Sequence, residues 1–154
     1  MIDYSKFRKS LKNLELQYAN YSASENRTEL SGLDKEGLAE SVIQRFEVCY
    51  DSAWKITKRY LVEISGLPNV PNSPKPVLRL ADENNLLTNE DSNDTLERWL
   101  NYADIRSGTS HDYAAEKAES CLAAVDDFIR DAIFLYQKLT AELWTQLPHL
   151  FPSD

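Results

Sequence analysis

The stretch from Asp34 to Ser65, DKEGLAESVIQRFEVCYDSAWKITKRYLVEIS, places apolar side chains at Leu38, Val42, Phe46, Cys49, Ala53, Ile56 and Tyr60. Steps of three and four residues put all of these on one face of a helix. Ile43, Trp54 and Leu61 widen the stripe. A helix this long, apolar over so broad a face, reads as the spine of a helical bundle. Asp34 is placed to cap its start, and Gly66 and Pro68 stop it just past Ser65.

Elements that could pack on this spine lie on both sides of it. Tyr4, Phe7, Leu11, Leu14, Tyr18 and Tyr21 give a first helix with a single seam, followed by a polar, turn-rich loop from Ser22 to Gly32. Residues 66–76 hold four prolines and form a connector. Pro74 suits the first turn of a short helix that carries Val77, Leu78, Leu80 and Ala81 and ends at Asn84 and Asn85. Asn93 or Asp94 caps the next helix, whose apolar face is Leu96, Trp99 and Ala103. A last helix, starting near Ser110, carries Ala118, Cys121, Val125, Phe128, Ala132, Leu135 and Leu139, with Leu122, Ile129, Ile133 and Tyr136 on a second flank, and fades near Leu147-Pro148. The expected fold is all-α, an up-down four-helix bundle with an extra short helix. It forms one domain over residues 1–147, with a tail at 148–154.

The chain of 154 residues is long enough for a substantial core, and with 42% hydrophobic and 27% charged residues its composition is that of a globular protein. A net charge of −8 argues against generic nucleic-acid binding, which rests mainly on lysine and arginine, so any RNA contact needs a local site or a partner. Cys49 and Cys121 fall on apolar faces and read as buried free thiols rather than as a disulfide or metal pair. The opening residues do not resemble a signal peptide and no apolar run approaches membrane-spanning length, so a cytoplasmic location without membrane association is expected. Trp54, Trp99 and Trp144 read as core or interface anchors, and Lys55, Lys58 and Arg59 as a basic, solvated face of the spine or a contact for RNA or a partner. No Walker loop, dinucleotide fingerprint or zinc spacing occurs, and no cofactor or metal is expected.

Chemistry concentrates in Arg106-Ser-Gly-Thr-Ser-His-Asp-Tyr113. Arg106 continues the inward face set by Leu96, Trp99 and Ala103. Gly108 offers a way out of that helix, and Thr109 or Ser110 an N-cap for the next, with Asp112 in its first turn. The turn thus gathers a guanidinium, an imidazole and a phenol near a helix start, where free N–H groups suit an anion.

The spacing Arg106-x4-His111-x-Tyr113 resembles the signature of the HEPN superfamily (higher eukaryote and prokaryote nucleotide-binding domains). It is closest to the subgroup paired with minimal nucleotidyltransferases, labelled nucleotidyltransferase substrate-binding proteins. Phe46-Glu47 and Trp54-Lys55 on the long helix, Ser73-Pro74-Lys75 with Val77-Leu78-Arg79 and Ala81, and Trp99-Leu100 extend the resemblance over roughly residues 1–145. One departure is Ser107, where the family usually has asparagine or aspartate.

The resemblance implies a toxin of a toxin–antitoxin pair, a metal-independent endoribonuclease in which the ribose 2′-OH attacks the adjacent phosphate. His111 would be the general acid or base and Arg106 would stabilise the phosphate charge, with Ser107, Thr109 and Ser110 in support. It also implies a homodimer that joins two motifs in one cleft. Its partner, the cognate minimal nucleotidyltransferase, would act as antitoxin by transferring AMP to Tyr113. An alternative keeps the partner and drops the catalysis, leaving a substrate-binding subunit whose Arg106 and His111 hold a nucleotide phosphate. Read without the family, Arg106 would bind loop carbonyls or Asp104, and His111 and Tyr113 would be surface or packing residues.

Overall fold

The computed structural model describes residues 1–88, 94–109 and 115–145. Five helices follow one another: α1 Ser5–Ser24, α2 Gly32–Glu63, α3 Pro74–Glu83, α4 Thr95–Thr109 and α5 Ala115–Thr140, with no strand among the described residues. Helix α2 is the spine, touching all four others; α1 packs most extensively along it, α5 closes against α1, α2 and α4, and α3 bridges α2 and α4. This is the expected all-α bundle of four long helices and one short one.

The seams read from sequence form the core. Phe7, Leu11 and Leu14 of α1 meet Val42, Phe46, Cys49 and Ala53 of α2, and Cys121, Val125, Phe128, Ala132 and Leu135 of α5. At its centre Phe128 takes edge-to-face contacts from Phe46, Tyr102 and Trp99, with ring centroids 4.9, 5.2 and 5.6 Å away. Such pairs add about 0.5–1.5 kcal/mol each beyond the area they bury. Trp144, past the end of α5, is half-buried against Tyr136, and its Nε1 donates toward Glu15 of α1. Burial holds the Glu15 carboxyl above its usual range, an effect that the Trp144 hydrogen bond and Lys12 oppose.

Helix ends depart from the expected ones in several places. The N-cap of α2 is Ser31, not Asp34: Ser31 Oγ accepts from the Asp34 N–H, and Asp34 accepts from the Ser31 N–H, a reciprocal capping box. At the other end of α2, Gly66 has φ +71°, the left-handed conformation that lets the Leu67 N–H turn back onto the Leu61 carbonyl. Helix α5 stops at Thr140 rather than near Leu147, because Ala141 turns left-handed at φ 59° while its N–H still reaches the Gln137 carbonyl. The expected tail at 148–154 and the cap Asn93 lie outside the described residues.

Cys49 and Cys121 are free and fully buried, and burial pushes both thiols up to about 12. Since the thiolate is the reactive species, neither should react with a water-soluble thiol reagent at pH 8 in the native protein. Both should titrate once the chain is unfolded in guanidinium. A thiol that reacts within minutes under native conditions would contradict this packing.

Candidate functional site

Helix α4 delivers its arginine as its periodicity requires. Trp99 and Ala103 are buried, Leu96 is partly so, and Arg106 comes next on the same face with its side chain 27% exposed. Its guanidinium reaches across to α2. Nη1 donates to Glu47 Oε2 at 2.6 Å, while Nε and Nη2 donate to Asp51 Oδ1 and Oδ2 at 3.3 and 3.1 Å. Glu47 and Asp51 are four residues apart, so α2 offers both from one face. The guanidinium is held above its ordinary pKa, first by the paired contacts of Asp51 and then by the charge of Glu47. With Glu47 only 13% exposed, the cluster is poorly screened and is held more firmly than a surface pair. Asp104, the acidic neighbour expected from sequence, turns elsewhere and takes Lys75 Nζ at 2.6 Å.

The predicted exit at Ser107-Gly108 does not occur. Helix α4 runs through both residues and includes Thr109, the last residue before the undescribed 110–114, so Thr109 is helical rather than an N-cap in extended backbone. Gly108 is absent from the positive-φ positions, and among the described residues a Cβ there would meet only Lys117 Cδ, at an ordinary 3.8 Å. A glycine costs a helix about 1 kcal/mol but does not end one unless the backbone turns left-handed. The described part of α5 begins at Ala115, where the sequence placed its start near Ser110. Ser110, His111, Asp112 and Tyr113 lie outside the described residues, so of the sequence-predicted set Arg106, Ser107 and the helical position of Thr109 are placed.

Beside Arg106 lies a groove of about 440 Å³, walled by Tyr50, Asp51 and Trp54 of α2, by Ser73 and Lys75 at the start of α3, and by Ser107. Tyr50 is 1% exposed, and its Oη is buried with no hydrogen-bond partner among the described residues. A stranded buried polar atom costs about 1–3 kcal/mol, so it calls for a reason. Burial, followed by the charge of Asp51, pushes the phenol above its ordinary value, so it remains a donor at neutral pH. Neither Asp51 nor Tyr50 was singled out in the sequence. The signal available was the acidic pair Glu47 and Asp51 at helical spacing on the edge of an otherwise apolar stripe.

Arg59 pairs with Glu63 and Lys55 lies over the Trp54 ring, both on a solvated face. Among the described residues no group of three or more His, Cys, Asp or Glu side chains is placed to hold a metal ion, and no helix is long and apolar enough to cross a membrane.

The helical bundle matches a known class. The family model described as "nucleotidyltransferase substrate binding protein like" matches residues 2–141, and the chain belongs to that family. A curated relative, the probable ribonuclease HepT of Haemophilus influenzae, is 32% identical over 107 residues, which are 68% of this chain and 69% of that protein. Among solved structures, one from Haemophilus influenzae, described as revealing the fold of a substrate binding domain of a nucleotidyltransferase, superposes with a TM-score of 0.76 at 26% identity, covering 89% of this chain and 98% of that one. A crystal structure from Thermus thermophilus gives a TM-score of 0.61 at 29% identity, covering 82% and 98%.

Proposed function

We propose that this chain is a HEPN endoribonuclease, the toxin of a pair in which a minimal nucleotidyltransferase is the antitoxin, and that it acts in the cytoplasm as a homodimer without a metal cofactor. The observation that carries this reading is the Arg106 guanidinium, fixed by two carboxylates, half-buried at a groove, and directly preceding residues 107–113. A cation that is already oriented can meet charge developing on a phosphate without reorganising, which is where electrostatic catalysis is most effective. The description of the Haemophilus relative as a probable ribonuclease supports the same reading.

In the proposed reaction the ribose 2′-oxygen attacks phosphorus, the bond from phosphorus to the 5′-oxygen breaks, and a cyclic 2′,3′-phosphate and a 5′-hydroxyl result. His111 takes the 2′-OH proton or supplies the one that the leaving oxygen needs, and water accepts or gives the other. Arg106 binds the non-bridging oxygens. Ser107, Thr109 and Ser110 orient the groups around it. Silencing follows when the partner joins the α-phosphorus of ATP to the Tyr113 phenol oxygen, releasing pyrophosphate and placing bulk and negative charge beside Arg106.

Expression of the chain alone in a bacterial host should arrest growth. His111→Ala should grow normally, and co-expression of the nucleotidyltransferase should relieve arrest by the wild type but not by Tyr113→Phe. Normal growth with the wild type, at levels confirmed by immunoblot, would remove the toxin reading. A second reading, a non-catalytic substrate-binding subunit of the nucleotidyltransferase, is favoured by Ser107 at the position of the family's Asn or Asp and by the full engagement of Arg106 with Glu47 and Asp51. It predicts normal growth together with a stable complex on co-purification.

A further inference from the structure

Charge is not spread evenly over this acidic chain. Residues 1–14 and 51–63 hold seven Lys/Arg against three Asp/Glu, while the remainder holds ten against twenty-two. The two segments meet where the first turns of α1 lie along the later turns of α2, and between them runs a groove of about 460 Å³. Lys6 lines it from α1, and Lys55 and Arg59 line it from α2. Its two carboxylates are both engaged: Asp3 accepts from the Ser5 N–H, and Asp51 holds Arg106. Arg59 pairs with Glu63, but each side chain is about half exposed, and such a surface pair is weak. Lys6 and Lys55 are exposed and have no salt-bridge partner among the described residues.

We propose that this groove carries the phosphates of single-stranded RNA away from Arg106, with Lys6 and Lys55 as the contacts on its two walls. The proposal rests on the ribonuclease reading for the identity of the strand. Its path follows from the grooves themselves. Asp51 lines both this groove and the one beside Arg106, and Lys55 stands over the ring of Trp54, which walls the latter. Asp51, Lys55 and Arg59 are four residues apart, so the two cations lie about 6 and 12 Å beyond Asp51 along the axis of α2. Lys6 faces them from α1, so a strand between the helices has cations on both sides. Val48, 54% exposed, and the half-buried Ile56 offer apolar surface between the phosphates. A cationic groove with apolar walls is how single strands are held without regard to sequence. Cations set in a groove, rather than around a protruding apolar face, suit a strand better than a membrane surface. The groove also supplies the local site that an acidic chain needs in order to hold RNA.

The test is equilibrium binding, by fluorescence anisotropy over a range of salt, of a 2′-O-methyl oligouridine of about twelve nucleotides, which cannot be cleaved. Lys6→Ala and Lys55→Ala should each reduce by about 0.7 the steepness with which log affinity falls against log salt, the counterion release of one single-strand phosphate contact. The double variant should bind on the order of tenfold more weakly. Lys35→Ala removes the same charge about 30 Å back along α2 and should change affinity less than about twofold. Both groove lysines are exposed, so the melting temperatures of their variants should match the wild type. An unchanged slope in both variants, an equal loss in Lys35→Ala, or no binding of the oligomer by the wild type would overturn the proposal. So would binding to vesicles of phosphatidylcholine and phosphatidylserine that needs both lysines, with none to the oligomer, which would give the face to a membrane. Lysine-dependent binding in a protein that cleaves unmodified RNA nowhere would keep the track and refute the ribonuclease. Cleavage with full affinity in the double variant would do the reverse.

Discussion

Asp131→Ala is expected to remove about 2–4 kcal/mol of folding free energy, the cost of leaving a buried hydroxyl donor and a partly buried guanidinium without their carboxylate. Asp131 is 6% exposed and accepts three hydrogen bonds from α4. Arg98 donates through Nε and Nη2 to its two oxygens, at 2.9 and 2.8 Å, and Tyr102 Oη donates to Oδ2 at 2.5 Å. Alanine would strand the Tyr102 hydroxyl, on a ring 2% exposed and packed against Phe128 and Trp99, while Arg98, with its side chain 30% exposed, would keep Thr95 Oγ1 at 3.3 Å. At about 2–4 °C per kcal/mol for a domain of this size, the melting temperature should fall on the order of 10 °C. Asp131→Asn should cost less, since one carbonyl oxygen still accepts, but its amide hydrogens oppose the Arg98 donors. A fall of only one or two degrees for the alanine variant would show that the network is dispensable.

The same network fixes a pH response. Burial and the hydrogen bond to Asp131 hold the Tyr102 phenol above its ordinary value. The unfolded chain therefore loses that proton first. The contribution is fully present below about pH 10, the ordinary tyrosine value, and is lost as pH rises through the higher folded value. The loss of stability as pH rises above about 10 should be smaller in Asp131→Asn than in the wild type, because the phenol there lacks the carboxylate that helps to raise it. The network also serves the candidate site, because it locks α4 to α5 two turns ahead of Arg106 and so sets the register in which that arginine meets α2.

The helices were legible in the sequence because burial repeats at a fixed step. Phe7, Leu11 and Leu14, or Val125, Phe128 and Ala132, announce a face without any knowledge of what covers it. The inward position of Arg106 was legible for the same reason. Its partners were not: Glu47 and Asp51 lie 59 and 55 residues away, and no local pattern couples them to it. Asp131 escaped notice because an aspartate on an amphipathic helix ordinarily marks the solvent face, and only the arrival of Arg98 and Tyr102 makes its burial tolerable. Gly108 misled because glycine is a weak breaker: it permits a left-handed exit but does not impose one. At Gly66, where the φ is positive, the same reasoning was right.

Under the proposed function, Arg106→Ala should lower kcat/KM for RNA cleavage by about 10²–10³-fold, the range seen when one donor to a developing oxyanion is lost. Arg106→Lys should recover little of it. In the wild type one planar group holds Glu47 through Nη1 and both Asp51 oxygens through Nε and Nη2. An ammonium is a single point at the end of a flexible stem, and it cannot span two carboxylates and still present a fixed face to a phosphate. Placed between Glu47 and Asp51, it would settle on one of them and leave the other poorly compensated. The lysine variant should therefore keep its positive charge and most of its stability yet lose its rate. That separates a requirement for orientation from a requirement for charge. Thermal melts run beside the kinetics check that the fold persists. If Arg106→Lys retained activity within about threefold, charge alone would suffice, and the clamp formed by Glu47 and Asp51 would be a matter of stability rather than of catalysis.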